Sequence, residues 1–478
     1  MPVVLAVVLI LAAFAAVLCV RAANVKPRRA VTPDSSPVEV DGAGAAERLA
    51  QLVRIPTVSD YDESKVDDAQ FETFRTALRT LYPAVHETCA PVLCGKTGLL
   101  YHWKGKSADA PTVLMAHYDV VPVEADKWAH PPFCGEVFDG ELWGRGTLDT
   151  KITLLGILEA AEALLKQGFV PGRDVYFAFG GDEEVNGHGA KDVIAELRRR
   201  GVKPGMVLDE GGAVVDGVFP GVKEPIAVVG IGEKGMMNVR LRAESAGGHA
   251  SHPERPSALG MVCRAAADCE SHPFPAHLTK PAREMLATLA PHTPFGLRVV
   301  LANLWCFGPV LCAAAEKLGS ELNAMLRTTA AFTMARGSKQ INVLPAEAEV
   351  GVNLRLLNTE TPDEAAAYLR RVIKNDRVTV DVEYAEPASP YASTDTEHWD
   401  KLASAAAGTW KGCLVSPYLM IACSDSRHYA GYCDDVYKFS AMHLTGEQRG
   451  LIHNHNERIP VSEIAKTVEF FTRFERML

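Results

Sequence analysis

Three apolar runs in this chain end in the same way, and that shared ending limits its fold more than any other feature. "PTVLMAHYD" (111–119), "DVYFAFGGDEE" (174–184) and "GMVLDEGG" (205–212) each pass from buried-strand residues into acids or histidine. Strands covered on both faces read as near-continuous apolar runs rather than as alternation. Between the first two stands "KITLLGILEAAEALLKQG" (151–168), of helix-forming composition and ending at a glycine in the C′ position. Strand, helix and strand with short connections predict an α/β fold with a doubly wound parallel sheet. Ligands of such sheets gather at the carboxyl ends of the strands. The polar endings therefore mark one edge of the sheet as the place for chemistry.

The pattern changes after about residue 234. "MMNVRLRAES" reads as a strand, "PSALGMVCRAAADCE" as a helix, and "AAFTMARG" and "AEAEVGVNLRLL" as two strands. "TPDEAAAYLRRVIKN" reads as a helix with Thr361 as N-cap and Pro362 at N1, and "RVTVDVEYAE" as a last alternating strand. This βαββαβ order is the ferredoxin-like split βαβ. It carries a long apolar excursion from about 275 to 325. A chain of 478 residues exceeds one small core. The reading is a catalytic domain of residues 43–234 and 387–478, interrupted by a lid or dimerisation domain at 235–386.

The N-terminus stands apart. Pro2 to Val20 is almost wholly apolar and is followed by Arg21, Lys26, Arg28 and Arg29. A bilayer core needs about 20 apolar residues in a helix, so this stretch is long enough to span. Residues 1–22 read as a signal-anchor, or as a secretory signal cleaved near Ala22 and Ala23 without the usual basic leader. Both place the chain on a membrane or in a secretory or vacuolar lumen, with residues 23–42 as a linker. The formal charge of −10 argues against a nucleic-acid partner. The 11 cysteines include no CxxC pair, which speaks against a zinc ribbon. Cys89 and Cys94 are spaced for a bridge in a lumenal compartment; most of the others sit in apolar company as buried thiols.

Several short motifs carry chemistry. In "AHYD", His117 and Asp119 stand two apart on a strand and project to one face. A metal-binding imidazole is usually oriented by a carboxylate on its other nitrogen, which Asp119 is placed to supply. Asp149 in "GRGTLDTK" stands at a helix N-terminus, where an anion is favoured, so a plain helix cap is the competing reading. "GGDEEVNGHG" sets Glu183 beside Glu184, which face apart on an extended chain. "VLDEGG" adds Asp209 and Glu210, and "IHNHNE" adds His453 and His455. Histidines and carboxylates with an open position for water suit a hydrolytic metal centre better than a structural one.

Together "AHYD", "GRGTLDTK", the glutamate pair, "LDEGG", "GGHASHP" and "HNHNE" resemble the dinuclear zinc carboxypeptidase and aminoacylase family. The resemblance covers about residues 43 to 478 and looks nearest to the branch of carboxypeptidase S and the N-fatty-acyl-amino-acid synthase/hydrolases. One departure is Thr150, where many members carry a second Asp. The resemblance implies two zinc ions per subunit, replaceable by cobalt or manganese. Asp149 would bridge them, His117 and Asp209 would complete one site, and Glu184 and His453 the other. It implies Asp119 as the residue orienting His117 and Glu183 as general base on the shared water, a role that a carboxylate near the metals suits. It further implies a homodimer in which His249 of "SAGGHASHP" reaches a neighbouring site to stabilise an oxyanion. Arg427 of "CSDSRHY" would grip a substrate carboxylate, with Asn342 and Gly446 as further substrate contacts. The expected reaction is carboxypeptidase-type cleavage of an amide next to a free carboxylate in a peptide or N-acyl amino acid. The alternatives are an aminoacylase or N-fatty-acyl amino acid hydrolase/synthase and, more remotely, an inactive binding homologue.

Overall fold

A computed structural model describes residues 1–478, apart from the side chains of Leu318 and Ser320. The three apolar runs become neighbours at the centre of an eight-stranded sheet. Thr112–His117 lies parallel to Val175–Gly180 on one side and to Met206–Val215 on the other. Val436–Leu444 continues the parallel order, and Leu414–Met420 pairs parallel with Ile226–Glu233 at the far edge. Gly98–Trp103 and Val92–Cys94 close the other edge antiparallel. Every residue of Thr112–His117 and Val175–Gly180 is buried, as strands covered on both faces must be.

The expected helix forms at Lys151–Lys166, and Gly168 follows it at φ 73°, the left-handed geometry that closes a helix. The C-terminal helix Val461–Arg476 packs across it. At Gly156 a side chain would meet Phe471 and Thr467 at 2.7 Å, so only glycine permits this close crossing. Helix and sheet share one continuous apolar core.

The second unit is a four-stranded antiparallel sheet in the order Thr329–Arg336, Glu347–Leu356, Gly235–Glu244, Val378–Glu386. Its strands alternate: Met237, Val239, Leu241 and Ala243 face the helices Ala258–Ser271 and Pro362–Ile373, and these residues form a core of their own. Arg240 lies on the opposite face, bound to Glu349 at 2.5 Å and Glu383 at 2.7 Å. Thr361 caps its helix reciprocally with Glu364, as read from the sequence.

The excursion behaves differently. It forms the helices Lys280–Leu289, Phe295–Leu301, Leu304–Leu318 and Ser320–Leu326, whose buried residues Met285, Leu286, Leu289, Leu301 and Leu326 join the larger core. It is inserted in the second unit by sequence and packed on the first by contact. Residues 24–42 carry no regular structure before Gly42, yet they are tied down: Arg473 donates to Asp34 and to the Ser36 carbonyl at 2.9 and 2.8 Å. All the cysteines are free thiols, with Cys89 and Cys94 both buried, so the expected bridge does not form.

Candidate metal centre

The strand ends converge on His117. Its Nε2 lies 2.9 Å from Asp149 Oδ1 and 3.5 Å from Glu210 Oε1. Its Nδ1 lies 3.1 Å from the Asp119 carbonyl and 3.3 Å from Asp119 Oδ1, which fixes the ring's orientation. The same buried Asp119 carboxylate accepts hydrogen bonds from Ser59 Oγ at 2.7 Å and from the backbone amides of Glu183 and Glu184, both at 3.1 Å. One carboxylate thus positions a histidine and both glutamates.

Glu183 and Glu184 do not lie on an extended strand. Glu183–Val185 is a single turn of 3-10 helix, in which successive side chains point about 120° apart. The pair is still divided. Glu184 Oε2 meets His453 Nε2 at 3.0 Å, while Glu183 is grouped with His117 and Glu210. His453 also lies 2.9 Å from Asp149 Oδ2, so the two oxygens of Asp149 each face a different histidine.

Asp149 is held by a residue that motif reading left without a role. Glu457, fully buried, pairs with Arg145 at 2.6 Å and accepts from the amides of Gly146 at 3.0 Å, Leu148 at 2.7 Å and Asp149 at 3.3 Å. The turn "GRGTLD" is therefore folded around a carboxylate four residues beyond His453. Thr150, the departure from the expected motif, turns its hydroxyl to Thr153 at 2.7 Å and begins the helix.

Asp209 is not in this group. The strand Met206–Val215 runs through it, and alternation turns Asp209 and Glu210 to opposite faces. Asp209 accepts from the amides of Glu210 at 2.9 Å and Ser426 at 2.9 Å, and Glu210 takes the place beside His117. Of the two acids it is Glu210, not the expected Asp209, that stands beside His117.

Burial pushes the carboxyl of Glu210 up to about 8, reinforced by Asp149. Burial likewise raises Glu183 and Glu184, and it lifts Asp425 to about 7, reinforced by Asp209. His453 is raised to about 10 by its bonds to Asp149 and Glu184. Burial opposes the charged form of His117, but Glu210, Asp119 and Asp149 outweigh it and hold the imidazole well above its usual range. Crowded carboxylates outnumber the cations here, and Glu184 Oε1 is buried without a hydrogen-bond partner. His117, Asp149 and Glu184 offer ligand atoms mutually within 4.8 Å, as do His117, Glu183 and Glu210. A donor set of this charge and spacing fits divalent metal.

Arg427 lies on the turn Asp425–Tyr429. It is 9% exposed, donates to Asn186 Oδ1 at 2.7 Å, and holds Nε 2.9 Å from Glu386 at the end of the inserted sheet. The other expected contacts are elsewhere. His249 is exposed on the two-residue strand Gly248–His249, bound to Ser251 at 2.7 Å, and the Asn342 carbonyl accepts from Ala250 at 3.1 Å. Gly446 opens a single helical turn. Among the described residues, no hydrogen bond or ion pair joins His249, Asn342 or Gly446 to the histidine–carboxylate group.

A doubly wound sheet whose strand ends gather histidines around a shared aspartate is the framework of a metal-dependent hydrolase. The chain belongs to peptidase family M20/M25/M40, whose model matches residues 113–476. It is 34% identical over 435 residues to Probable carboxypeptidase S-like 2 of Dictyostelium discoideum, covering 89% of this chain and 83% of that protein. It is 35% identical over 434 residues to the N-fatty-acyl-amino acid synthase/hydrolase of Xenopus tropicalis, covering 89% and 84%. Its fold is similar to that of an M20 metallo-carboxypeptidase from Sulfolobus solfataricus, with a TM-score of 0.66 at 16% identity over 91% of this chain and 98% of that one.

Proposed function

We propose that the chain hydrolyses amide bonds adjacent to a free carboxylate, in peptides or N-acyl amino acids, with two zinc ions. His117, Asp149 and Glu210 would hold one ion, and Asp149, Glu184 and His453 the other. The observation that carries this reading is Asp149, with one oxygen 2.9 Å from each histidine. Bound there, the metals would supply an acidified water and polarisation of the scissile carbonyl. Glu183, buried beside His117 and Glu210, takes a proton at its carboxylate and returns it to the leaving amine. Its raised affinity for protons suits that shuttle. Arg427 binds the substrate carboxylate through a guanidinium that grips two oxygens at once. His249 supplies an oxyanion donor from a second copy of the chain, which its exposed position away from the histidine–carboxylate group supports. Asn342 and Gly446 remain candidates for contacts to the substrate in that closed assembly. The exposed apolar helix Pro2–Ala23 supports membrane anchorage as a signal-anchor.

Metal analysis of Glu210→Gln and Asp209→Asn tests the ligand assignment. Glu210→Gln is expected to lose metal, and Asp209→Asn to keep both ions. The reverse result restores Asp209 as the ligand. The acyl side divides carboxypeptidase from N-acyl amino acid hydrolase, and the names of the two relatives support both. A panel of free and C-terminally blocked dipeptides, N-acetyl and N-fatty-acyl amino acids decides between them. Equal cleavage of blocked and free substrates would remove Arg427 from carboxylate recognition.

A further inference from the structure

The excursion leaves an apolar surface in solvent that the proposed hydrolysis does not use. Phe295–Leu301 and Leu304–Lys317 together are long and apolar enough to cross a membrane, yet they are bent by 99° at the break between them. A pair so bent cannot span as one rod. Leu301 and Ala315 face the catalytic core, while Phe295, Trp305 and Val310 stay 51%, 59% and 64% exposed.

The N-terminal helix rests on this bend. Arg21 Nε donates to Asn303 Oδ1 at 3.0 Å, Asn303 Nδ2 donates to the Leu18 carbonyl at 3.1 Å, and Phe14 meets the Trp305 ring edge-on at 6.1 Å. The polar groups at the bend thus satisfy one another, as backbone and side chains must where water is scarce. The helix has no polar face and therefore no stable place in water. Its 22 residues span roughly 33 Å, the thickness of a bilayer core. It is also fixed to the body just beyond its end, where Arg28 meets Glu284 at 2.9 Å and Arg29 meets Asp400 at 2.5 Å. Phe14 lies about 13 Å along the helix from Ala23. A bilayer that encloses the helix therefore reaches Trp305.

We infer that the bent pair Phe295–Leu318 is a second membrane-contacting element, lying in the interface with Phe295, Trp305 and Val310 in lipid. The inference rests on the anchor reading of the N-terminal helix. Lipid is the occupant, rather than a second copy of the chain, because this surface is continuous with the exposed apolar sides of a helix that has no stable place in water. A cavity of about 720 Å³ shares Leu304, Trp305 and Pro309 in its lining, so the same docking brings it to the lipid boundary.

The full chain in phosphatidylcholine vesicles tests this, with lipids brominated on the acyl chain as quenchers. Trp305 is the one exposed tryptophan among the described residues. Co-flotation with the vesicles is expected, with a loss of tryptophan emission in brominated lipid that Trp305→Phe abolishes. Equal quenching of wild type and Trp305→Phe, or none in either, overturns the docking and leaves the anchor standing; a surface covered by a second copy gives that result. A chain that does not float overturns the anchor reading and the docking with it.

Discussion

His453 and His249 are both half-exposed or exposed histidines, and the molecule treats them in opposite ways. His453 is pinned at φ 60° between Asp149 and Glu184, and the loop that follows it is anchored by Glu457. His249 lies on a two-residue strand, with Ser251 as its side-chain partner. The first is preorganised by buried hydrogen bonds within one chain, which is what a metal site requires. The second is exposed and held by its near neighbour Ser251 alone, which suits a group delivered by closure or by another subunit. On the proposed reading, the metal ligands are fixed by folding, whereas the oxyanion donor would arrive with a second copy of the chain.

Four substitutions probe that contrast. The largest effect is expected at the fixed centre: Glu183→Ala should keep its metal and lose about 10⁴-fold in kcat, the upper range for one acid–base group. Metal analysis with kinetics checks it, and substantial residual turnover would remove Glu183 as the base. His249→Ala should lose roughly 10²- to 10³-fold in kcat, with metal content and melting temperature unchanged, as loss of one oxyanion donor does. Mixing it with Glu183→Ala sharpens the comparison. If His249 acts across a dimer, the mixture regains activity that neither parent shows; a mixture with no gain would place His249 on its own chain's site.

Glu457→Gln should weaken metal binding about 10- to 100-fold, the usual effect of losing a carboxylate that orients a ligand. Equilibrium dialysis measures it, and unchanged affinity would show that the "GRGTLD" turn holds Asp149 unaided. The smallest effect lies away from both histidines. Glu475 is fully buried with neither oxygen hydrogen-bonded, and burial raises its carboxyl well above the ordinary 4.5. Below 4.5 both folded and unfolded states are protonated, so the group is neutral to stability there. As pH rises above 4.5 the unfolded state releases its proton first, and folding loses stability. Glu475→Gln should therefore melt higher than wild type at alkaline pH, by on the order of 1 kcal/mol. Thermal melts across pH should show the gap closing toward 4.5; a gap independent of pH would assign the effect to packing.

The sheet and the second unit were legible because each rests on a local period. Continuous apolar runs marked the buried strands, and alternation marked Gly235–Glu244 and Glu347–Leu356. His117, Asp149 and Glu184 were candidates because they stand at the ends of strands and at a helix start, whereas His453 was singled out from His455 by the family resemblance. Less was visible where a residue's work is done at a distance in sequence. Glu457 reaches back 308 positions to the Asp149 amide, and Ser59 reaches 60 to Asp119. The excursion had no period to read, because its helices divide their apolar residues between the large core and solvent.

By itself, the order of residues determined the doubly wound sheet, the inserted βαββαβ unit and the set of groups available for metal. These follow from backbone periodicity and from strand ends, which are properties of neighbouring residues. Only the tertiary structure decided that Glu210, rather than Asp209, stands beside His117. It also set the excursion against the catalytic core and the N-terminal helix against the excursion. Those outcomes depend on which surfaces meet, and that is settled by packing between segments hundreds of residues apart.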